Sequence, residues 1–298
     1  MKKIKFTSVL IIFLLVLNLS ACTRNPENSG PESKDKFNLI YPGILDIYTN
    51  LVDIIGQADI IPYYQKQLKA KEEERDSESA IKDNEPAFKP APITNADLLL
   101  VKTIEEEHRY NIEEIKEKIP EDISFTWQDL SEKINHIHVK WDELKPELLK
   151  EDLAATTITG FETALNELTM AVSTCNYFQT LSNSNALAEY IPLFFRELND
   201  RLAASIYYIK YYLRQIILDA AENNYQNINS YLREIQQQQA NITSELIAKG
   251  ADDLADQITL SVATLEEVIN LKDLNIIKIK AGLVAKNIKS AQEKLLVK

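Results

Sequence analysis

Glycine and proline are scarce in this sequence, and the shortage excludes whole classes of fold. Of the six glycines in 298 residues, only Gly160, Gly250 and Gly282 lie beyond Gly56. No proline follows Pro192. Folds rich in β-strands need turn residues about every 8–12 positions. The second half of the chain therefore cannot supply such a fold, and we expect long helices instead.

The shortage of glycine also excludes several chemistries. Phosphate-cradling loops and the dinucleotide fingerprint need a close backbone approach that only glycine allows. The Gly-x-Ser-x-Gly turn that presents a hydrolase nucleophile is absent as well. We also find no nucleophile with a base close to it in the sequence. The sequence therefore predicts no nucleotide partner and no enzymatic activity.

The first residues have the pattern of an export signal. Lysines at positions 2, 3 and 5 precede an unbroken apolar run over 9–17, and small residues follow at 20 and 21. These are the charged, apolar and cleavage regions of a secretory signal. The apolar run is too short to cross a bilayer core, which needs about 20 apolar residues in a helix. We therefore expect the chain to be exported.

The signal ends in Leu19-Ser20-Ala21-Cys22, which resembles the lipobox of bacterial lipoproteins. The resemblance implies cleavage between Ala21 and Cys22 and a diacylglycerol on the Cys22 sulfur, with fatty acids such as palmitate. In many species it also implies an acyl chain on the Cys22 amine. It places the protein on the extracytoplasmic face of the cell membrane, and no other cofactor is expected. The alternative is an ordinary cleaved signal or anchor helix in which Cys22 is incidental.

The charge of the mature chain excludes nucleic acid as a partner. The whole chain carries −12, and removal of the three signal lysines leaves −15. Phosphate binding needs a basic surface, which this chain lacks. An anionic lipid surface should repel the acidic body, so we expect the bilayer to be contacted through the acylated Cys22. A cationic partner remains compatible with this charge.

Only two cysteines occur, so no disulfide is expected within the exported chain. If Cys22 carries the lipid, Cys175 is alone. Cys175 continues an apolar stripe of helical spacing, and we predict a small buried thiol there.

Composition and periodicity predict five regions. These are a lipoprotein signal peptide over 1–21, a flexible tether over 22–36, an N-terminal helical segment over 37–69, a disordered linker over 70–95 and a helical-bundle domain over 96–298. The linker is expected to separate the first helix from the main body, because it is charged and contains three prolines.

The helical segments are predicted from apolar spacing. The clearest signal spaces six large residues by 3, 4, 3, 4 and 3, as in a coiled coil that needs a facing helix; these are Trp127, Leu130, Ile134, Ile137, Trp141 and Leu144. Similar stripes recur to the end of the chain. The fold class is therefore all-α, an elongated bundle of long antiparallel amphipathic helices.

Several breaks in these helices are also predicted. Pro42 suits a first helical turn, and Pro62 and Pro146 should kink or end their helices. Residues 182–185, Ser-Asn-Ser-Asn, have turn and cap composition. From Ala186 a long helix either stops at 223–224 or runs on to Gly250, and the pattern leaves both open.

Three histidines limit the metal chemistry that the sequence can support. Glu105 and His108 are spaced to share a helix face, as in di-iron bundles, but no second copy of the motif exists. His108 also lies on an apolar stripe, which favours a core or boundary histidine over a ligand. His136 and His138 point about 200° apart on a helix and cannot share an ion.

Two tyrosine pairs on one segment form the other unusual feature. Tyr207 with Tyr211, and Tyr208 with Tyr212, are each four residues apart and so are neighbours on a helix surface. One interpretation is packing, with the rings over the core and the hydroxyls at its wet edge. The other is a groove for a ligand or partner.

The function predicted from these features is a membrane-anchored extracytoplasmic lipoprotein, a non-catalytic binding or structural module of the bacterial envelope with an envelope protein as partner. The alternative is a small-ligand or metal-binding lipoprotein accessory to an uptake system.

Overall fold

A computed structural model describes residues 31–78, 98–100, 103–104, 106, 118–151 and 153–296. The chain divides into two units, Met1–Tyr41 and Pro42–Lys298. The start of the first helix belongs to the first unit, and the second unit contains the bundle.

Every regular element within these described ranges is a helix, which confirms the all-α prediction. Short connections join most consecutive helices, and no strand occurs in the part of the chain that the structure describes. The helices are α1 Pro31–Glu78, α2 Ile123–Lys150, α3 Ala155–Ser173, α4 Tyr177–Ala188, α5 Tyr190–Glu197, α6 Arg201–Ala221, α7 Ile228–Ala248, α8 Asp252–Ile269 and α9 Leu274–Leu295.

Helix α6 lies at the centre of the bundle. It packs against α4, α5, α7 and α9, and 15 of its 21 residues are buried. A helix that is apolar around most of its circumference is stable only when other helices surround it. The remaining contacts run mainly between neighbours in the chain, with α2 on α3, α3 on α4, α7 on α8 and α8 on α9.

The coiled-coil-like seam of α2 is buried along its whole length, as predicted. All six seam residues from Trp127 to Leu144 are in the core. The indole of Trp141 stacks on Phe161 of α3 and lies 5.8 Å from the ring of Phe194 on α5. The facing helices that the spacing required are therefore α3 and α5.

The first helix is longer than its predicted range of 37–69. It includes residues 31–36 of the predicted tether and 70–78 of the predicted linker, and both Pro42 and Pro62 lie inside it. Of the two outcomes predicted for Pro62, the end of the helix is not observed, because α1 continues through it. Each proline removes one backbone donor, but neighbouring side chains such as Ile60 and Ile61 are fully buried. Their packing outweighs the local cost.

The expectation that α1 stands apart from the main body is corrected. Beyond Pro42, α1 carries Tyr48, whose ring meets Tyr207 of α6 edge-on with centroids 4.7 Å apart. Asp53 pairs with Lys133 of α2 at 3.4 Å. The apolar face read from the sequence thus packs against the same bundle as the later helices.

One stretch of α1, Leu39–Arg75, is long and apolar enough to cross a membrane by length and composition alone. Half of its most apolar window is buried within the structure. Its fully buried Asp59 and its contacts with α2 and α6 favour the core-helix interpretation.

Two further predicted breaks are absent. Pro146 lies within the continuous helix α2, which neither ends nor restarts there. Residues 182–185 lie inside α4, where Ser184 and Asn185 are fully buried. Serine and asparagine favour turns through local hydrogen bonds, but Asn185 bonds instead to side chains of α6. Tertiary contacts therefore decided the structure of this stretch.

The predicted long helix from Ala186 is not continuous: α4 ends at Ala188, and asparagines with a left-handed backbone follow α5 and α6. Asn199 has φ 65° and Asn223 has φ 58°. Asn199 donates its N–H to the carbonyl of Arg196, and Asn223 donates to Ala220, as in a Schellman termination. The break predicted at 223–224 as one of two alternatives is therefore observed, but the helix ends at Ala188 and before Asn199 are not predicted.

Cys175 ends α3 in the same way, which corrects its predicted burial. Its backbone has φ 53°, and its N–H bonds to the carbonyl of Val172 at 2.9 Å. The thiol is exposed. The apolar stripe of α3 ends at Val172, so Cys175 lies beyond the helix that would have buried it.

Candidate functional site

An open cleft of about 770 Å³ lies where the ends of three helices meet the side of α1. Helices α4 and α9 begin there and α6 ends there. The cleft is lined by Asp59, Pro62, Lys66, Leu99, Tyr177, Phe178, Ala221, Glu222, Leu274, Asn275 and Lys278.

The two helix starts at this cleft are fixed by side-chain caps. Asn176 accepts a hydrogen bond from the N–H of Gln179 and begins α4. Asp273 accepts from the N–H groups of Asn275 and Ile276 and begins α9. Side chains of this type satisfy backbone donors that a helix start leaves open. The caps therefore fix where α4 and α9 begin beside the cleft.

One wall of the cleft is a non-helical segment held by a buried acid and a buried base. Asp59 is 1% exposed, and its two carboxylate oxygens accept the N–H groups of Leu99 and Leu100 at 2.9 and 2.7 Å. Lys278 is 4% exposed, and its ammonium donates to the carbonyl of Leu98. The side chain of Leu98 packs with buried residues of α1, among them Ile60.

The rest of the cleft presents mixed charge and two aromatic rings. Lys66 and Glu222 are exposed, whereas the rings of Tyr177 and Phe178 are half-buried. Burial, and then the charge of Asp59, raises the pKa of the Tyr177 hydroxyl above its usual value. The tyrosine is therefore a neutral hydrogen-bonding group at physiological pH, and the cleft suits a polar ligand.

The predicted tyrosine groove does not form as a single site, because Tyr207 belongs to the core. Its ring stacks on Phe195 with centroids 5.2 Å apart and an interplanar angle of 23°, and it meets Tyr48 edge-on. For Tyr207, the packing interpretation is confirmed.

The other three tyrosines lie together with a fourth from α7. These four residues are called the tyrosine cluster: Tyr208, Tyr211, Tyr212 and Tyr231. Tyr212 lies 6.1 Å from Tyr208, 4.9 Å from Tyr211 and 5.8 Å from Tyr231 between ring centroids. Sequence reasoning missed Tyr231, because spacing along one segment does not show which residues a neighbouring helix contributes.

Carboxylates surround the tyrosine cluster and shift its proton affinities. Tyr211 donates a hydrogen bond to Glu189 at 3.3 Å. Burial raises the pKa of Glu189, and this hydrogen bond opposes the change in part. Burial, followed by the charges of Glu234 and Glu189, raises the pKa of Tyr212 well above its ordinary value. Burial, followed by the charge of Asp219 and a hydrogen bond to it, raises the pKa of Tyr231.

A chain of hydrogen bonds links this cluster to the centre of the bundle. Arg214 is fully buried, and its Nε donates to Oδ1 of Asn185 at 2.8 Å. The Asn185 amide donates to Gln215, and Gln215 donates to Oδ1 of Asp219. The other oxygen of Asp219 is buried, and a hydrogen bond between this carboxylate and the Tyr231 hydroxyl raises the pKa of the tyrosine.

A second buried cation, Lys210, lies one turn before Arg214 on α6. Its ammonium donates to Gln292 of α9 at 2.8 Å and lies 5.1 Å from the ring centroid of Tyr207. Sequence reasoning did not single out these cations. Charged residues are almost never fully buried without partners, and their partners come from helices distant in the sequence.

The structure separates two of the histidines, as predicted. His136 lies 3.0 Å from Asp46 of α1, whereas His138 lies 3.0 Å from the hydroxyl of Thr169 on α3. Within the described residues, no three His, Cys, Asp or Glu side chains are placed to hold a metal ion. The weak metal candidates Glu105 and His108, and the signal residues Ala21 and Cys22, lie outside the described residues.

Comparison with known proteins finds no relatives. No protein-family model, no curated protein and no solved structure matches this chain.

Proposed function

We propose that this protein is a membrane-anchored extracytoplasmic lipoprotein that serves as a non-catalytic binding module of the bacterial envelope. The observation that carries the proposal is the lipobox-like Leu19-Ser20-Ala21-Cys22 directly after a charged and apolar export signal. One lipid chain alone gives weak membrane binding, so a diacylglycerol suits stable anchoring.

The structural features fit a binding role better than a catalytic one. In the cleft, the Asp59 carboxylate is hydrogen-bonded to backbone amides, and the Lys278 ammonium to a backbone carbonyl. Both groups thus hold a wall of the cleft. Catalytic acids and bases need a pKa suited to proton transfer and a reacting group within reach. Asp59 and Lys278 support the shape of the cleft instead.

The proposal is tested by metabolic labelling with an alkyne fatty acid in a bacterial host, followed by membrane fractionation. We expect Cys22→Ala to abolish both label and membrane retention. Cys175→Ala is the matched control, because Cys175 is the other cysteine and its thiol is exposed; it should keep both. Unchanged labelling and fractionation of Cys22→Ala would refute the lipid anchor.

The small-ligand alternative is favoured by one specific observation, the size of the cleft. Its volume of about 770 Å³ lies within the range of about 300–1,000 Å³ that small-molecule sites occupy. The test is native mass spectrometry of the full mature protein purified from membranes. If a ligand co-purifies, Leu274→Trp should remove it by filling the cleft, while Leu260→Trp, on the exposed face of α8, should not. Retention of the ligand by Leu274→Trp would contradict the assignment to this cleft.

A further inference from the structure

Three acidic side chains from different elements border the tyrosine cluster. Glu189 follows α4, Asp219 lies on α6 and Glu234 lies on α7. The charges of Glu189 and Glu234 both act on Tyr212, and that of Asp219 acts on Tyr231. Within the described part of the chain, the cation that acts on a ring of this cluster is the exposed Arg196, beside Tyr208. Negative charge therefore dominates around these rings.

None of these carboxylates is neutralised by a salt bridge within the part of the chain that the structure describes. Asp219 is 6% exposed, and the hydrogen bonds to its carboxylate come from the uncharged side chains of Gln215 and Tyr231. A buried carboxylate that has hydrogen bonds but no paired cation remains costly. A bound cation would remove that cost.

The rings themselves favour an organic cation. Tyr208, Tyr212 and Tyr231 are nearly parallel, with interplanar angles of 16° and 24° between successive rings. The face of an aromatic ring carries partial negative charge and attracts cations, and quaternary ammonium groups are recognised in this way. A metal ion would instead need several convergent oxygen or nitrogen ligands, and the described residues include no such group.

We propose that the tyrosine cluster, together with Glu189, Asp219 and Glu234, is a binding site for a small organic ammonium ion. Tyr208, Tyr212 and Tyr231 are each partly exposed, which suits a single ammonium group. The inference rests on the proposed binding role and names the ligand class of one of its surfaces.

The test is a titration of the full mature protein, with ¹³C-labelled tyrosine rings, using choline as the probe. Its neutral isostere, 3,3-dimethylbutan-1-ol, has the same shape without the charge and is the matched ligand control. We expect saturable shifts of ring resonances from the tyrosine cluster with choline, and binding at least tenfold weaker with the isostere. Equal responses to both compounds would overturn the proposal.

Variants assign the response to the site. Tyr212→Leu should weaken choline binding by about tenfold or more, whereas Tyr212→Phe keeps the ring and should retain most of it. Glu234→Gln should weaken binding, and Glu245→Gln, an exposed acid elsewhere on α7, should leave it unchanged. Binding that survives Tyr212→Leu in a folded protein would place the ligand elsewhere and overturn the assignment. Labelling of Cys22 is read separately, so failure here is distinguishable from failure of the proposed anchor.

Discussion

The indole of Trp141 stacks on the ring of Phe161, with ring centroids 4.0 Å apart and planes inclined by 30°. The two residues come from α2 and α3, and both are buried. Phe194 of α5 completes the group at 5.5 Å from Phe161. Aromatic contacts of this kind contribute beyond their buried area. They join three helices at one point of the core.

Trp141→Ala should therefore destabilise the protein by about 3–5 kcal/mol, because it leaves a large cavity among these rings. Urea denaturation of the mature chain measures the change. Val139→Ala, at a position of the same helix that is 55% exposed, is the control and should stay within about 0.5 kcal/mol of the wild type. A near-neutral Trp141→Ala would mean that the α2 seam is a docking surface and not a packed core.

Gly160→Ala should destabilise α3 only while Tyr190 is present. A Cβ at Gly160 would lie 2.5 Å from the hydroxyl oxygen of Tyr190, and such overpacking costs about 1–3 kcal/mol. Alanine otherwise improves a helix interior by about 1 kcal/mol over glycine. In a Tyr190→Leu background the same change should become neutral or stabilising, as thermal unfolding of the four proteins would measure. An equal cost in both backgrounds would rule out this contact as the cause.

Cys175→Gly should stabilise the protein by about 1 kcal/mol, because residue 175 has a left-handed backbone that glycine adopts without strain. Cys175→Val should destabilise it, since a β-branched residue fits that conformation poorly. Thr174→Gly, one residue earlier with φ −93°, is the control and should not stabilise. Thermal unfolding under reducing conditions compares them, and a loss of stability in Cys175→Gly would argue against the observed helix ending.

Asp59→Asn should loosen the segment that forms one wall of the cleft. The carboxylate accepts two backbone N–H groups, from Leu99 and Leu100, whereas an asparagine side chain has one acceptor oxygen. Hydrogen exchange followed by mass spectrometry should show faster exchange at these amides, while the amide of Ile60 within α1 is little changed. Unaltered protection at both leucines would show that other contacts hold the segment.

Glu189 should make the protein less stable as pH rises. Burial raises its pKa above the ordinary value of 4.5, so between the unfolded and folded pKa values the folded state binds more protons. The contribution of Glu189 to the free energy of unfolding is therefore full below the unfolded pKa and is lost as pH rises through the folded pKa. The fall in melting temperature between about pH 4 and about pH 8 should be smaller in Glu189→Gln than in the wild type.

Glu245→Gln, which alters an exposed acid, is the control for this pH series. It should reproduce the pH dependence of the wild type. Identical curves for all three proteins would show that the carboxyl of Glu189 is not destabilised by its surroundings.

The sequence predicted those parts of the fold that depend on local periodicity. The seam from Trp127 to Leu144 could be read from its spacing alone, because a buried stripe on a helix repeats every three or four residues. The sequence predicts either an interruption at 223–224 or a helix that continues beyond it. The structure has the interruption, with a left-handed backbone at Asn223. Asparagine tolerates that conformation better than most residues.

The remaining features depend on contacts between distant parts of the chain. Asp59 meets the amides of Leu99 and Leu100 about 40 positions away, and Tyr231 joins the tyrosines of α6 from the next helix. Neither partner can be found from spacing within one segment. Pro62 shows the converse, since tertiary packing keeps a helix intact where local propensity predicted its end.

The lipid anchor at Cys22 is the central claim, and the mass of the N-terminal peptide tests it most directly. The protein would be extracted in detergent from bacterial membranes, digested and analysed by mass spectrometry. We predict a first residue at Cys22 whose sulfur carries a diacylglyceryl group. An N-terminus at Met1, or an unmodified Cys22, would contradict the account.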